Sequence, residues 1–157
     1  MLEETNKTLV HVMRLMDSYF NRSYFFDEGL CFECQRCGAC CTGEPGTIYV
    51  GPDEISPIAE FLQTTTVSFI RHYLYPFRDS YSIREHADGR CFCYANGCTI
   101  YPVRPSQCKS FPFWFDNLRS ETQWRMVSDR CPGIGHGRLY TKEQILRIVQ
   151  SDVADSR

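Results

Sequence analysis

Phe32-Glu33-Cys34-Gln35-Arg36-Cys37-Gly38-Ala39-Cys40-Cys41 is the stretch whose reading decides how this chain is organised. Four cysteines stand in eight positions, and Cys91, Cys98, Cys108 and Cys131 follow later in the chain. Two-residue spacing between cysteines makes a tight turn that aims sulfurs at one point, as a thiolate metal site requires. Thiolates are soft ligands that favour zinc, iron–sulfur clusters or copper(I). Cys34, Cys37 and Cys40 repeat the run that holds three corners of a [4Fe–4S] cluster in bacterial ferredoxins, with a fourth corner supplied from a distance. Cys40 and Cys41 are adjacent. Neighbouring side chains diverge in a helix and oppose each other in a strand, so the pair points to two centres side by side or one polynuclear centre. Eight thiolates divide into two groups of four, but spacing does not give the partition.

Composition narrows the setting. A chain of 157 residues with 43% apolar and 14% aromatic residues is expected to form one domain with a modest core. The formal charge is −2 with no Lys/Arg run, which argues against a nucleic-acid partner. No apolar run approaches the ~20 residues of a membrane span. The start, MLEETNKTLVHVMRLMDSYF, is acidic and amphipathic and lacks the basic and apolar regions of a signal peptide. A cytoplasmic setting follows, where thiols stay reduced. Ten cysteines are fewer than a disulfide scaffold carries and many for a reduced protein unless metal holds them.

The expected fold is α+β: a small single domain, 1–157, of short helices and few short strands organised around one or more cysteine-ligated metal centres. Leu9, Met13, Met16 and Phe20 form a helical stripe and predict an N-terminal helix over 5–22. Tyr24, Phe25 and Phe26 should dock its end on the core. Thr47–Val50 reads as a short β run ended by Gly51-Pro52, and Pro52 with Asp53 and Glu54 opens a helix. Thr66 to Leu74 reads as a second helix, and 80–86 as a strand. Residues 90–101 suggest a hairpin around Asn96-Gly97. Ser106–Ser110 allows one helical turn, and Gln123–Val127 reads as a strand. Thr141 and Gln144 form a capping pattern that starts a last helix over 141–151, with a tail fraying from Asp152. The two terminal helices should pack on a cysteine-cluster core spanning 30–137.

The longer motifs carry a resemblance. Phe32-x-Cys34-x2-Cys37-Gly38-x-Cys40-Cys41, Gly89-x-Cys91, and Cys98-x-Ile100-Tyr101-x2-Arg104-Pro105-x2-Cys108-Lys109-x-Phe111-Pro112-Phe113 resemble the CxxCxxCC family, cysteine-cluster proteins described as zinc- or iron-chelating domains. The closing Cys131-Pro132-Gly133-Ile134-Gly135-x-Gly137 is similar to the family's last motif. The resemblance implies that Cys34, Cys37, Cys40, Cys41, Cys91, Cys98, Cys108 and Cys131 are the metal-binding set. Flagellin lysine N-methylases carry a similar cluster in a longer chain, where an iron–sulfur cluster accompanies methyl transfer from S-adenosylmethionine. Lys109 stands where the family usually has Arg, and Cys93 where an apolar residue is common.

Other residues have plainer uses. Cys91, Cys98, Cys108 and Cys131, taken alone, could be ordinary buried thiols. Cys31 and Cys93 are the weakest ligand candidates, and Cys93 would share a strand face with Cys91. Arg104, fixed before Pro105, could hydrogen-bond cluster sulfurs or an anionic ligand, although a buried arginine satisfying loop carbonyls is the simpler expectation. Tyr101 reads as a core tyrosine. The four histidines lack ligand spacing. Gly133, Gly135 and Gly137 suit a tight turn before the last helix. Phe111, Phe113, Trp114 and Phe115 form a patch that should wall the site and fill the core, or else meet a protein partner. Two functions follow: a zinc or iron–sulfur protein assisting protein modification or redox chemistry, or a structural zinc-stapled module that binds another protein. The sequence does not separate Zn2+ from an iron–sulfur cluster.

Overall fold

A computed structural model of the chain describes residues 18–43 and 46–155, with side chains described as far as residue 151. Most of the predicted N-terminal helix, including Leu9, Met13 and Met16, lies outside the described residues, and 18–21 are helical. The remaining architecture is mixed α and β, with short antiparallel strands. Strand β1 (Leu30–Phe32) pairs antiparallel with β5 (Arg138–Tyr140), with Leu30 opposite Tyr140 and Phe32 opposite Arg138. A second sheet has the order β2 (Tyr49–Val50), β4 (Ser80–Ile83), β3 (Leu74–Phe77).

Helix α1 (Ala39–Thr42) follows Gly38, which sits at φ 77. Helix α2 (Pro52–Phe61) begins at the Pro and acids that predicted it, and the Glu54 carboxylate accepts from the Gly51 amide at 2.9 Å. Helix α3 (Thr66–Tyr73) is capped by the Thr65 hydroxyl, which accepts from the Ser68 amide at 3.1 Å. A 3₁₀ turn (Tyr101–Val103) leads to α4 (Ser106–Ser110), the predicted single turn. Helix α6 (Lys142–Asp155) shows the expected reciprocal cap. The Thr141 amide donates to the Gln144 side chain at 3.0 Å, and the Gln144 amide donates to the Thr141 hydroxyl at 3.4 Å.

Three local expectations are corrected. Gln123–Val127 is not a strand but the body of helix α5 (Glu121–Ser128). Its Ser120 hydroxyl accepts from the Gln123 amide at 3.1 Å, and Trp124 and Val127, three apart, are its buried pair. Residues 90–101 do not form a strand ladder. Asn96 and Gly97 make the turn at positive φ, with isolated bridges Tyr94–Cys98 and Glu85–Cys91. The backbone stays helical through Asp155, beyond the expected fraying at Asp152.

Two apolar clusters close the fold. In the first, Val50, Ile58, Phe69, Leu74, Cys93 and Ile100 are each at most 1% exposed. The second gathers Phe26, Phe113, Leu118, Trp124, Ile145, Leu146 and Val149. Burying each of these larger side chains contributes ~1.5–3 kcal/mol, so either cluster offsets a sizeable share of local chain entropy. No helix among the described residues is long and apolar enough to cross a membrane.

Candidate metal centre

The two cysteine-bearing halves of the chain meet through backbone pairing. Cys91 donates its amide to the Cys41 carbonyl at 2.9 Å, which sets the second half against helix α1. The 131–135 segment pairs with 31–33. Glu33 donates to the Gly133 carbonyl at 3.1 Å, Gly135 donates to the Cys31 carbonyl at 2.9 Å, and Phe32 bridges Ile134. Gly135 and Gly137 take positive φ in the tight turn expected for them, and the pairing constrains Gly133 as well. A Cβ on Gly133 would stand 2.3 Å from the Glu33 carbonyl oxygen. Cys131 is thereby carried beside the Cys34 loop.

Cys108 is placed by two long-range ties. One oxygen of the Glu54 carboxylate accepts from both the amide and the hydroxyl of Ser106 at 2.7 Å. Gln107 accepts from the Tyr49 amide at 2.8 Å and donates to the Thr47 carbonyl at 3.1 Å. Helix α4 is thus fixed against α2 and β2, and its cysteine faces the site. Neither Glu54 nor Gln107 stood out in sequence as a site residue, because both partners lie more than fifty residues away.

The result is one cavity of ≈290 Å³. Its wall includes Cys34, Cys37, Cys40, Cys41, Cys91, Cys98, Cys108 and Cys131, all eight sequence-selected cysteines, and neither Cys31 nor Cys93. The cavity occupies the seam between the clusters. Ile48, Cys91 and Cys98 pack on the first, and Phe32 packs on the second. Cys37 and Cys40 are exposed at its edge. A second cavity of ≈180 Å³ shares the wall made by Cys40, Cys41, Cys91 and Cys131 and continues past Phe111 and Trp114 to Glu85, Asn117 and Arg130.

The thiols interact with one another. The Cys40 and Cys41 sulfurs are 3.9 Å apart. Two thiolates on one tetrahedral ion with ~2.3 Å bonds stand about 3.8 Å apart, so this spacing suits a shared ion as well as the side-by-side or polynuclear centres that adjacency suggests. Cys41 hydrogen-bonds both Cys40 and Cys98, which joins the two halves of the chain sulfur to sulfur. That bond holds Cys40 down at about 7, and the corresponding bond holds Cys98 down at about 6. The Cys41 thiol is pushed up in consequence. Backbone amides also point at sulfur: Cys93 toward Cys91 at 3.4 Å, Ile100 toward Cys98, and Gly133 and Ile134 toward Cys131. Such N–H···S bonds favour the charged thiolate. Burial acts the other way on Cys108 and Cys131 and raises both.

Cys93 is 1% exposed within the first cluster and hydrogen-bonds Cys91, so it is a core thiol behind the wall. The aromatic patch divides. Phe111 and Trp114 line the cavity in an edge-to-face pair at 5.2 Å, Phe113 stacks on Trp124 in the second cluster, and Phe115 is 55% exposed. His86 stacks on Phe92 and His72 contacts Ser68, and neither they nor His136 line the cavity. His11 lies outside the described residues.

Among the described residues, no loop carbonyl accepts from the Arg104 side chain, contrary to the simpler expectation. Its Nη1 lies 4.0 Å from the Cys34 sulfur, its guanidinium carbon is 4.0 Å from the Tyr101 ring centroid, and its buried Nε has no hydrogen-bond acceptor among the described residues. Arg36, at φ 54 in the Cys34–Cys37 loop, also lies over Tyr101, at 4.3 Å. Tyr101 is therefore a cavity-lining ring rather than a core tyrosine.

Among the described residues, no group of three or more Cys, His, Asp or Glu side chains is drawn into a finished metal-ion sphere. The donor set nevertheless suits one: eight soft sulfurs on one wall, several already receiving N–H or S–H bonds, with a cationic side chain beside them.

No solved structure matches the chain. A family model does, over residues 33–132, and it is described as "CxxCxxCC: Putative zinc- or iron-chelating domain". That span holds all eight cavity cysteines and most of the chain, and the chain therefore belongs to the CxxCxxCC family of zinc- or iron-chelating domains.

Proposed function

We propose that Cys34, Cys37, Cys40, Cys41, Cys91, Cys98, Cys108 and Cys131 ligate a zinc or iron–sulfur centre in this cavity, and that the centre assists protein modification or redox chemistry in the cytoplasm. The observation that carries this reading is that the eight cysteines, spread over almost a hundred residues, line a single cavity. All ten cysteines are unpaired thiols, which suits a reducing compartment. Bound there, such a centre supplies soft Lewis acidity or one-electron transfer. The chain's own part is to hold the thiolates, exclude water with Phe111 and Trp114, and leave an accessible edge at Cys37 and Cys40. The ferredoxin-like run of Cys34, Cys37 and Cys40 favours iron over a structural zinc staple.

Anaerobic purification followed by metal analysis and an absorption spectrum tests the proposal. Brown protein with broad visible absorbance and iron with acid-labile sulfide supports the redox reading. Colourless protein with zinc and four thiolates per ion supports the structural module that binds a protein partner. Protein that takes up neither metal overturns both.

A further inference from the structure

We propose that Arg104 is a positioning residue that donates its buried Nε to an acceptor inside the cysteine cavity, the sulfur-rich anionic centre itself, and so holds the charge of that centre. The inference rests on the metal reading above. It arises from three observations at one side chain. First, a buried donor without an acceptor costs about 1–3 kcal/mol, and native folds seldom leave one orphaned. Arg104 Nε is such a donor among the described residues, on a side chain that lines the cavity. Second, Nη1 of the same guanidinium already lies 4.0 Å from the Cys34 sulfur, so the group is turned to the thiolates and not to a carboxylate. Third, the guanidinium carbon stands 4.0 Å from the Tyr101 ring centroid, a cation–π contact, and Pro105, next in the chain, is fully buried. Ring and proline fix the orientation, so the fork is held in place before any partner arrives.

The chemistry calls for such a residue. A centre bound by four or more thiolates carries net negative charge, and moving it to a half-buried cavity is unfavourable unless a cation or N–H donors face it. Arg104 supplies both, and arginine cannot deprotonate to escape the burial. Lysine would keep the charge but lose the planar fork.

The test uses cobalt(II) as probe, titrated under anaerobic, reducing conditions into metal-free wild type, R104K and R104Q, with affinity and the sulfur-to-cobalt charge-transfer band read together. R104Q should bind cobalt 10–100-fold more weakly, the range for loss of an outer-shell partner, with its band moved to lower energy because the sulfurs lose a cationic donor. R104K should recover much of the affinity and an intermediate band. Equal affinity and an unmoved band in R104Q overturn the proposal. So does equal weakening of both variants with wild-type bands, since that pattern reports packing alone. If wild type binds no cobalt, the metal reading fails instead, and the two failures are distinguishable.

Discussion

The two apolar clusters and the cysteine-lined seam between them are built by different physics. Phe26, Ile145 and Leu146, or Val50, Ile58 and Phe69, are buried by their own hydrophobicity and need no partner beyond the chain. The seam instead gathers thiols, an orphaned guanidinium nitrogen and backbone amides around open space. Its order is expected to depend on a bound centre. Cys91 and Cys93 show the contrast two residues apart. One faces the cavity and the other is sealed in the first cluster, although they are the same residue type. Function is therefore expected on the seam and stability on the clusters, with metal coupling the two.

Metal removal should break the comparison most severely. A strong chelator under reducing conditions should lower the melting temperature by on the order of 10 °C or more, because ligation energy is folding energy. Hydrogen exchange should rise first around 90–110 and 129–135, while amides of α2 and α6 hold out longer. A melting curve unchanged on verified apo-protein would show that the seam is self-supporting.

Truncation inside a cluster should do the reverse. Phe69→Ala or Ile145→Ala should cost about 2–5 kcal/mol by denaturant unfolding, yet leave metal per folded chain unchanged. Loss of metal from the folded fraction of either variant would mean that clusters and seam are not separable.

Ligand substitutions should act on metal content rather than on packing. Cys37→Ser and Cys108→Ser should lower metal per chain by plasma emission spectroscopy, because a hydroxyl is a poor ligand for a soft metal. Cys31→Ser and Cys93→Ala should leave it nearly unchanged, with Cys93→Ala losing about 1 kcal/mol of stability from the first cluster. If Cys31→Ser strips the metal and Cys108→Ser does not, the ligand set is wrong. Gly133→Ala tests the hinge between regions: its Cβ meets the Glu33 carbonyl, so a loss of about 1–3 kcal/mol is expected.

The smallest effect belongs to the surface. A hydrogen bond from Lys142, then one from Ser23, holds the Asp27 carboxyl below its ordinary range, with the exposed carboxylate 2.8 Å from the half-buried lysine. A depressed carboxylate stabilises the fold above its unfolded pKa and loses that contribution as pH falls through the folded value. Asp27→Asn should therefore lower the melting temperature slightly at neutral pH and not at all in acid below the carboxylate range. An equal loss at both would assign the effect to packing.

Much of this was legible in the sequence, and for definable reasons. Cysteine spacing carries its chemistry locally for Cys34, Cys37, Cys40 and Cys41, and the family resemblance implied the other four wall cysteines without a fold. Caps did the same for α2 and α6, where Glu54 and Gln144 act within one turn. Gln123–Val127 misled because Trp and Val favour strands, and the deciding signal was the Ser120 cap with burial three residues apart. Glu54 to Ser106 and Gln107 to Tyr49 could not be seen, because side-chain ties across fifty residues leave no periodic trace. For Arg104 the sequence offers cluster sulfurs and loop carbonyls alike and favours the carbonyls, since only the fold puts Tyr101 beneath it and Cys34 in front.

The central claim is that the seam's sulfurs bind metal together. X-ray absorption at the zinc and iron edges of anaerobically purified protein tests it most directly. The account predicts bound metal with an all-sulfur first shell at about 2.3 Å. A first shell of nitrogen and oxygen, or no metal in folded protein, would contradict it.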